Sequence, residues 1–294
     1  MTAMKRILTI SAVLSLFVCC TKPSADSADE LNLDGRTVFS VDTEEINLGG
    51  GDSFRDVWKE GDRIGVYAPG SDIAIPFELR RSSEGKSEAL FYGPVVYGEG
   101  VSACYPYEKA RTLQESKMPV ELASRQIFDA QDSNLSAFLR NSGPALAFES
   151  EGILHFRYSL GLLAVSVKFD ETLYVKSMTL SSEGGLSGLL LVGDDGRAAS
   201  SPISSSSITL DFGGELVPTR GPSGEFTVFR FVLPPATYPA RSLSLAIATE
   251  DETINVALGE IAVERVSGAG FAVANVTVSS GAIPGFTPSD GYLE

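Results

Sequence analysis

The chain has 294 residues, with 38 acidic against 23 basic side chains, a formal charge of −15 and a pI of ≈ 4.6. A field of that sign argues against nucleic acid or an anionic membrane surface as a partner and favours solubility. A lone histidine, His155, argues against a hydrolase triad and excludes a multi-histidine zinc site.

The chain begins with Lys5-Arg6, an apolar run from Ile7 to Val18, and then Cys19-Cys20-Thr21-Lys22. A short basic region, a short apolar region and a cysteine is the order of an export signal. The run falls short of the about 20 residues needed to span a bilayer. Ending in cysteine resembles the lipobox of bacterial lipoproteins, which implies residues 1–19 as a signal peptide and an acylated cysteine as the first mature residue. Cys20 has the small Cys19 before it and Thr21-Lys22 after it, whereas the alternative, Cys19, has Leu16 at the usual aliphatic position but the bulky Val18 beside the cut. Losing Lys5 and Arg6 brings the charge from −15 to −17, so attachment to the outer membrane rests on the lipid. Cys104 is then the one cysteine of the folded part, which excludes a disulfide there. Its setting, Val101-Ser102-Ala103-Cys104-Tyr105, reads as a strand with a buried, inert thiol.

Residues 20–36 are small and acidic with little to bury, a flexible tether. Beyond it, large apolar residues recur at every second position in 163–169, 227–233 and 243–248, the pattern of half-buried strands. Further strands are expected at 63–67, 89–92, 101–105, 153–156, 175–180, 186–192, 207–212, 253–258 and 271–278, with one short helix at 120–128. Glycine-rich and acidic turns such as Gly49-Gly50-Gly51-Asp52 and Gly193-Asp194-Asp195-Gly196 separate them. Many strands with almost no helices define an all-β chain of antiparallel sandwiches. A break at Asn141-Ser142-Gly143-Pro144 and Glu149-Ser150-Glu151-Gly152 divides it into an N-terminal sandwich, 37–150, and a C-terminal sandwich with a tail, 151–294.

No catalytic motif emerges. Gly85-Lys86-Ser87 looks like the end of a phosphate loop, but Arg80 stands where the first glycine is required and no helix pattern follows. His155 reads as a surface or strand-end residue, and the acidic runs Asp194-Asp195 and Glu250-Asp251-Glu252 read as solvated hairpin tips without the ligand spacing of a calcium loop. The expectation is a protein that is not an enzyme and holds no metal or cofactor. Trp58, Tyr67, Tyr92, Tyr97, Tyr105 and Tyr107 are candidates for a glycan platform, although their strand-like settings favour core for most of them.

Several phrases in order resemble the fimbrillin family, pilus proteins of Gram-negative gut and oral anaerobes. These are Trp58-Lys59-Glu60-Gly61-Asp62-Arg63-Ile64-Gly65-Val66-Tyr67, then Gly85-Lys86-Ser87-Glu88-Ala89-Leu90-Phe91, Cys104-Tyr105-Pro106-Tyr107, and Gln126 with Asp129 ahead of Leu135-Ser136-Ala137. The second half adds Phe156 to Val165, Leu186-Ser187-Gly188, and Phe231 to Tyr238 with Pro234-Pro235. The resemblance implies two transthyretin-like β-sandwich domains and a fimbrial subunit or fimbria-associated adhesin at the cell surface. It also implies a lipoprotein precursor, processing after a basic residue, and partners that are other fimbrial subunits joined by strand insertion. Arg55 and Arg36 are the candidate processing sites, and only a cut at Arg55 would release a strand. The second half's candidates for the inserted strand are 271–278 and the tail at 283–286. A host protein or glycan is a further expected partner, and a surface glycan-binding lipoprotein is the alternative reading.

Overall fold

In the computed structural model, residues 35–49, 52–128, 135–169, 172–196, 198–199, 203–219, 227–266, 272–278 and 285–286 are described. Nearly all of their regular structure is strand. Seven strands of the N-terminal half pair into a closed ring. Around it run Thr37–Thr43, Ile153–Tyr158, Ala145–Ser150, Ser102–Tyr105, Arg63–Tyr67, Ala74–Leu79 and Glu88–Gly93, which bonds back to Thr37–Thr43. The division expected at 150/151 falls inside this ring. The strand Ile153–Tyr158 is a stave of the barrel, and the chain turns away only at Ser159 and Leu160 before entering Gly161–Phe169.

The barrel core is organised by Trp58. Its ring lies edge-on to Phe91, Tyr105 and Phe156, with centroids 4.9, 4.8 and 5.5 Å away, and its Nε1 donates to the Ser87 carbonyl at 3.1 Å. The turn that follows explains the local sequence. Gly61 has φ +84°, a region that favours glycine, while the Lys59 N–H donates to the Asp62 carboxylate at 2.7 Å and the Asp62 N–H to the Lys59 carbonyl at 3.0 Å. Glycine at 93 is fixed by contact instead, since a Cβ there would lie 2.6 Å from the Phe77 ring.

Beyond the barrel, Gly161–Phe169 is buried on both faces from Gly161 to Val167. It pairs with Thr227–Leu233 on one edge and, in parallel, with Ala272–Val278 on the other, to which Gly285–Phe286 adds. A second sheet runs Thr253–Ala257, Leu243–Thr249, Tyr174–Ser182, Ser207–Asp211 and Arg125–Ile127. Its alternating buried residues, among them Met178, Leu180, Ile208, Leu210, Leu245 and Ile247, meet the apolar pattern expected of half-buried strands.

The helix expected at 120–128 is absent. Met118–Leu122 pairs antiparallel with Ser187–Val192, and Arg125–Ile127 pairs in parallel with Ser207–Asp211. Tertiary pairing overrides the local pattern, with Val120 and Leu122 buried around an exposed Glu121. The helix lies instead at Leu135–Ser142, where Leu139 is buried, the Ser142 hydroxyl donates to the Phe138 carbonyl at 2.8 Å, and the Gly143 N–H donates to Leu139 at 3.0 Å.

Gln126 is 1% exposed and bonds the main chain of Val232 twice, donating from Nε2 to its carbonyl at 2.8 Å and accepting its N–H on Oε1 at 2.9 Å. The side chain acts as one rung of a missing strand on the outer edge of Thr227–Leu233. Replacing it with methionine, similar in shape but unable to form either bond, is expected to cost about 2 kcal/mol by leaving buried backbone groups unpaired. Urea unfolding of Gln126→Met measures this, and an unchanged midpoint would count against the role.

Candidate functional site

Thr37–Thr43 alternates as a half-buried strand should. Phe39, Val41 and Thr43 point inward, while Val38 and Ser40 are exposed. Burying Phe39 and Val41 contributes about 2 kcal/mol each, and the Phe39 ring meets Phe77 at 5.3 Å. Both edges of the strand are bonded. One runs antiparallel to Glu88–Gly93, from Thr37 opposite Gly93 to Asp42 opposite Glu88. The other runs parallel to Ile153–Tyr158, from Ser40 beside Ile153 to Thr43 beside Phe156.

Polar ties fix the strand's register. The Thr37 hydroxyl accepts the Val96 N–H at 2.8 Å, and the Thr43 hydroxyl donates to the Asp56 carbonyl at 2.7 Å. The Asp42 carboxylate takes His155 Nδ1 with both oxygens, at 2.8 and 2.9 Å. Both side chains are about one-third exposed, 30% for Asp42 and 32% for His155. His155 is thus a strand residue, half-buried and engaged, where the sequence reads a surface or strand-end position.

After Thr43 the chain makes a hairpin, Glu45–Gly49 with Asp52–Arg55, and Ile46 packs into the core. Asp56 then enters the interior, 7% exposed, and accepts the Tyr158 hydroxyl at 2.7 Å. Burial, followed by the neighbouring Asp56 carboxylate, holds the Tyr158 phenol well above its ordinary range. Nearby, the Arg140 guanidinium donates to the Tyr105 hydroxyl at 3.0 Å, and burial raises that phenol too.

The two basic residues singled out in the sequence flank this unit. Arg36 is exposed, immediately precedes the strand, and lies with its guanidinium 5.3 Å from the Tyr92 ring centre. Arg55 ends the hairpin, 3.7 Å from the Glu45 carboxylate, with 42% of its side chain exposed. Cys19 and Cys20 lie outside the described residues. The strand Thr37–Thr43, with Asp42 and Asp56, was missing from the sequence reading. The alternation Val38-Phe39-Ser40-Val41-Asp42 carries the signal for the strand, but nothing local marks the partners of the two aspartates.

Of the six aromatic candidates, Trp58, Tyr67 and Tyr105 are core, Tyr92 and Tyr107 are half-buried, and Tyr97 alone is largely exposed, at 82%. These six therefore present no flat platform of rings. Among the described residues no three His, Cys, Asp or Glu side chains group as metal ligands. An open depression beside Phe148 brings Glu149 near Asp194 and Asp195, and the Glu149 carboxylate there accepts the Val101 N–H at 3.1 Å. No helix among the described residues is long and apolar enough to cross a membrane.

No family model matches the chain, and no curated protein matches it. Solved structures do. A candidate cell adhesion protein of Bacteroides ovatus aligns over 88% of this chain and 96% of its own, with a TM-score of 0.53 at 15% identity. Another from Bacteroides uniformis covers 85% and 94%, with a TM-score of 0.47 at 13% identity, and a fimbrial protein of Bacteroides vulgatus covers 84% and 96%, with 0.44 at 13%. At such identities the likeness to the Bacteroides ovatus protein is one of fold, and it takes in both halves of the chain. These structurally similar proteins are described as cell adhesion and fimbrial proteins of Bacteroides.

Cys104 is 2% exposed, and burial pushes its thiol up to about 12. The fold disfavours the thiolate, so this group's contribution to stability is intact below its ordinary 9.0 and is lost as pH rises towards about 12. At about pH 8 a thiol reagent is expected to leave native Cys104 untouched and to label it in denaturant. Equal labelling in both states would contradict the buried setting.

Proposed function

We propose that this chain is a cell-surface fimbrial subunit or fimbria-associated adhesin that assembles by β-strand exchange. The observation that carries the reading is the strand Thr37–Thr43, bonded along both edges and lying between Arg36 and Arg55. A cut after Arg55 frees that strand together with its hairpin and opens two bonded edges at once, those of Glu88–Gly93 and Ile153–Tyr158. A cut after Arg36 frees the tether alone. Unpaired edges flanking an apolar slot are a site for strand addition by another subunit.

In this reading the barrel and the C-terminal sheets serve as two transthyretin-like sandwich domains. Acylated Cys20, or Cys19, holds the precursor at the outer membrane until the cut. The reading assigns no catalytic residue, metal or cofactor. Support comes from the fold shared with the Bacteroides ovatus candidate adhesion protein and from the ordered fimbrillin-like phrases. The glycan-binding alternative gains nothing from the aromatics, since three of the six are core.

Treating the unlipidated protein with an Arg-specific protease is expected to yield polymers visible by size and by microscopy. Arg55→Gln is expected to block them, and Arg36→Gln to leave them forming. Monomers that persist after clean loss of residues 37–55 would sink the stalk role.

A further inference from the structure

The slot occupied by Thr37–Thr43 is not chemically uniform. Phe39 and Val41 fill its apolar part, but the Asp42 position is polar on both sides. Opposite it on one neighbour is Glu88, and on the other is His155, whose Nδ1 lies 2.8 and 2.9 Å from the two carboxylate oxygens. Like charges directly opposite each other on adjacent strands destabilise the pairing, so a carboxylate at this place is favoured only because His155 answers it. Both His155 and Glu88 belong to the part of the barrel that remains when residues 37–55 are removed.

We infer that His155 is a specificity-determining residue of the strand-accepting groove. It selects an incoming extended segment that carries a carboxylate flanked on both sides by residues facing the barrel core. The inference rests on the strand-exchange reading and adds the chemistry of the partner.

Residues 267–294 of this chain do not supply the matching segment. Between Ser267 and Glu294 the only acidic residues are Asp290, set between Ser289 and Gly291, and Glu294. Asp290 has no apolar neighbour on either side, and Glu294, preceded by Leu293, has Gly291 where Phe39 stands, so this region does not reproduce Phe39-Ser40-Val41-Asp42. Ala272–Val278 is, in addition, already paired in parallel with Gly161–Phe169 in its own sheet. The occupant expected is thus an acidic, alternately apolar strand of another subunit, with His155 to Asp or Glu as the polar contact.

The test uses full-length protein nicked after Arg55 and a labelled synthetic peptide of residues 37–55 exchanged against competitors. The competitors are the same peptide, its Asp42→Asn form and a peptide of residues 267–294. The Asp42 peptide is expected to bind about tenfold more tightly than the Asn form and the 267–294 peptide. In nicked His155→Ala protein the preference for Asp over Asn is expected to vanish or invert, because Glu88 then stands opposite it with no His155 to offset it. A merely structural histidine would weaken both peptides alike. Peptides that bind well but without regard to residue 42, or a 267–294 peptide that matches the native strand, would overturn the selectivity while leaving strand exchange intact. Binding by no peptide at all would overturn both.

Discussion

The strand Thr37–Thr43 is hydrogen-bonded along both edges, and the barrel is a barrel only while it is there. Its neighbours Glu88–Gly93 and Ile153–Tyr158 do not pair with each other around the ring. Backbone groups along two edges therefore depend on a single segment near the start of the folded chain. Leaving buried backbone groups unpaired is costly, so the slot is held either by this strand or by something that repeats its pattern.

The aromatic centre of the barrel lies outside residues 37–55. Trp58 packs on Phe91, Tyr105 and Phe156, none of which lies in 37–55. Asp56, the first residue past the hairpin, is tied inward to Tyr158. Within 37–55, Phe39 contributes its ring contact to Phe77, and Ile46 and Val41 complete the packing. The geometry separates this aromatic centre from the wall that Thr37–Thr43 forms. Elsewhere the opposite device appears. The outer edge of Thr227–Leu233 has the Gln126 side chain bonded to Val232, which leaves less of that edge open to a second strand.

Much of this was legible in the sequence wherever a two-residue period ran undisturbed. Leu163 to Phe169, Thr227 to Leu233 and Leu243 to Ala248 all reappear inside strands. The turn at Gly61-Asp62 rests on short-range chemistry alone. What failed was non-local. Met118–Leu122 and Arg125–Ile127 became strands because Ser187–Val192 and Ser207–Asp211 pair with them from far along the chain. Leu135–Ser142 became helix although Ser and Asn are modest helix formers, with its apolar side packed by Leu139. At the candidate site, the positions of Arg36 and Arg55 were readable. The meaning of Asp42 was not, because the parallel register that sets it beside His155 joins residues 113 apart. Asp56, likewise, gains its role from Tyr158, 102 residues away.

The central claim is that Thr37–Thr43 must leave for assembly to occur. Ser40 and Leu90 stand directly opposite each other on antiparallel neighbours, with Ser40 exposed and Leu90 half-buried, at the separation a disulfide can bridge. A protein carrying Ser40→Cys and Leu90→Cys, oxidised and then cut by an Arg-specific protease, is predicted to stay monomeric and to polymerise once reduced. Polymers forming equally well with the strand locked in place would contradict the account.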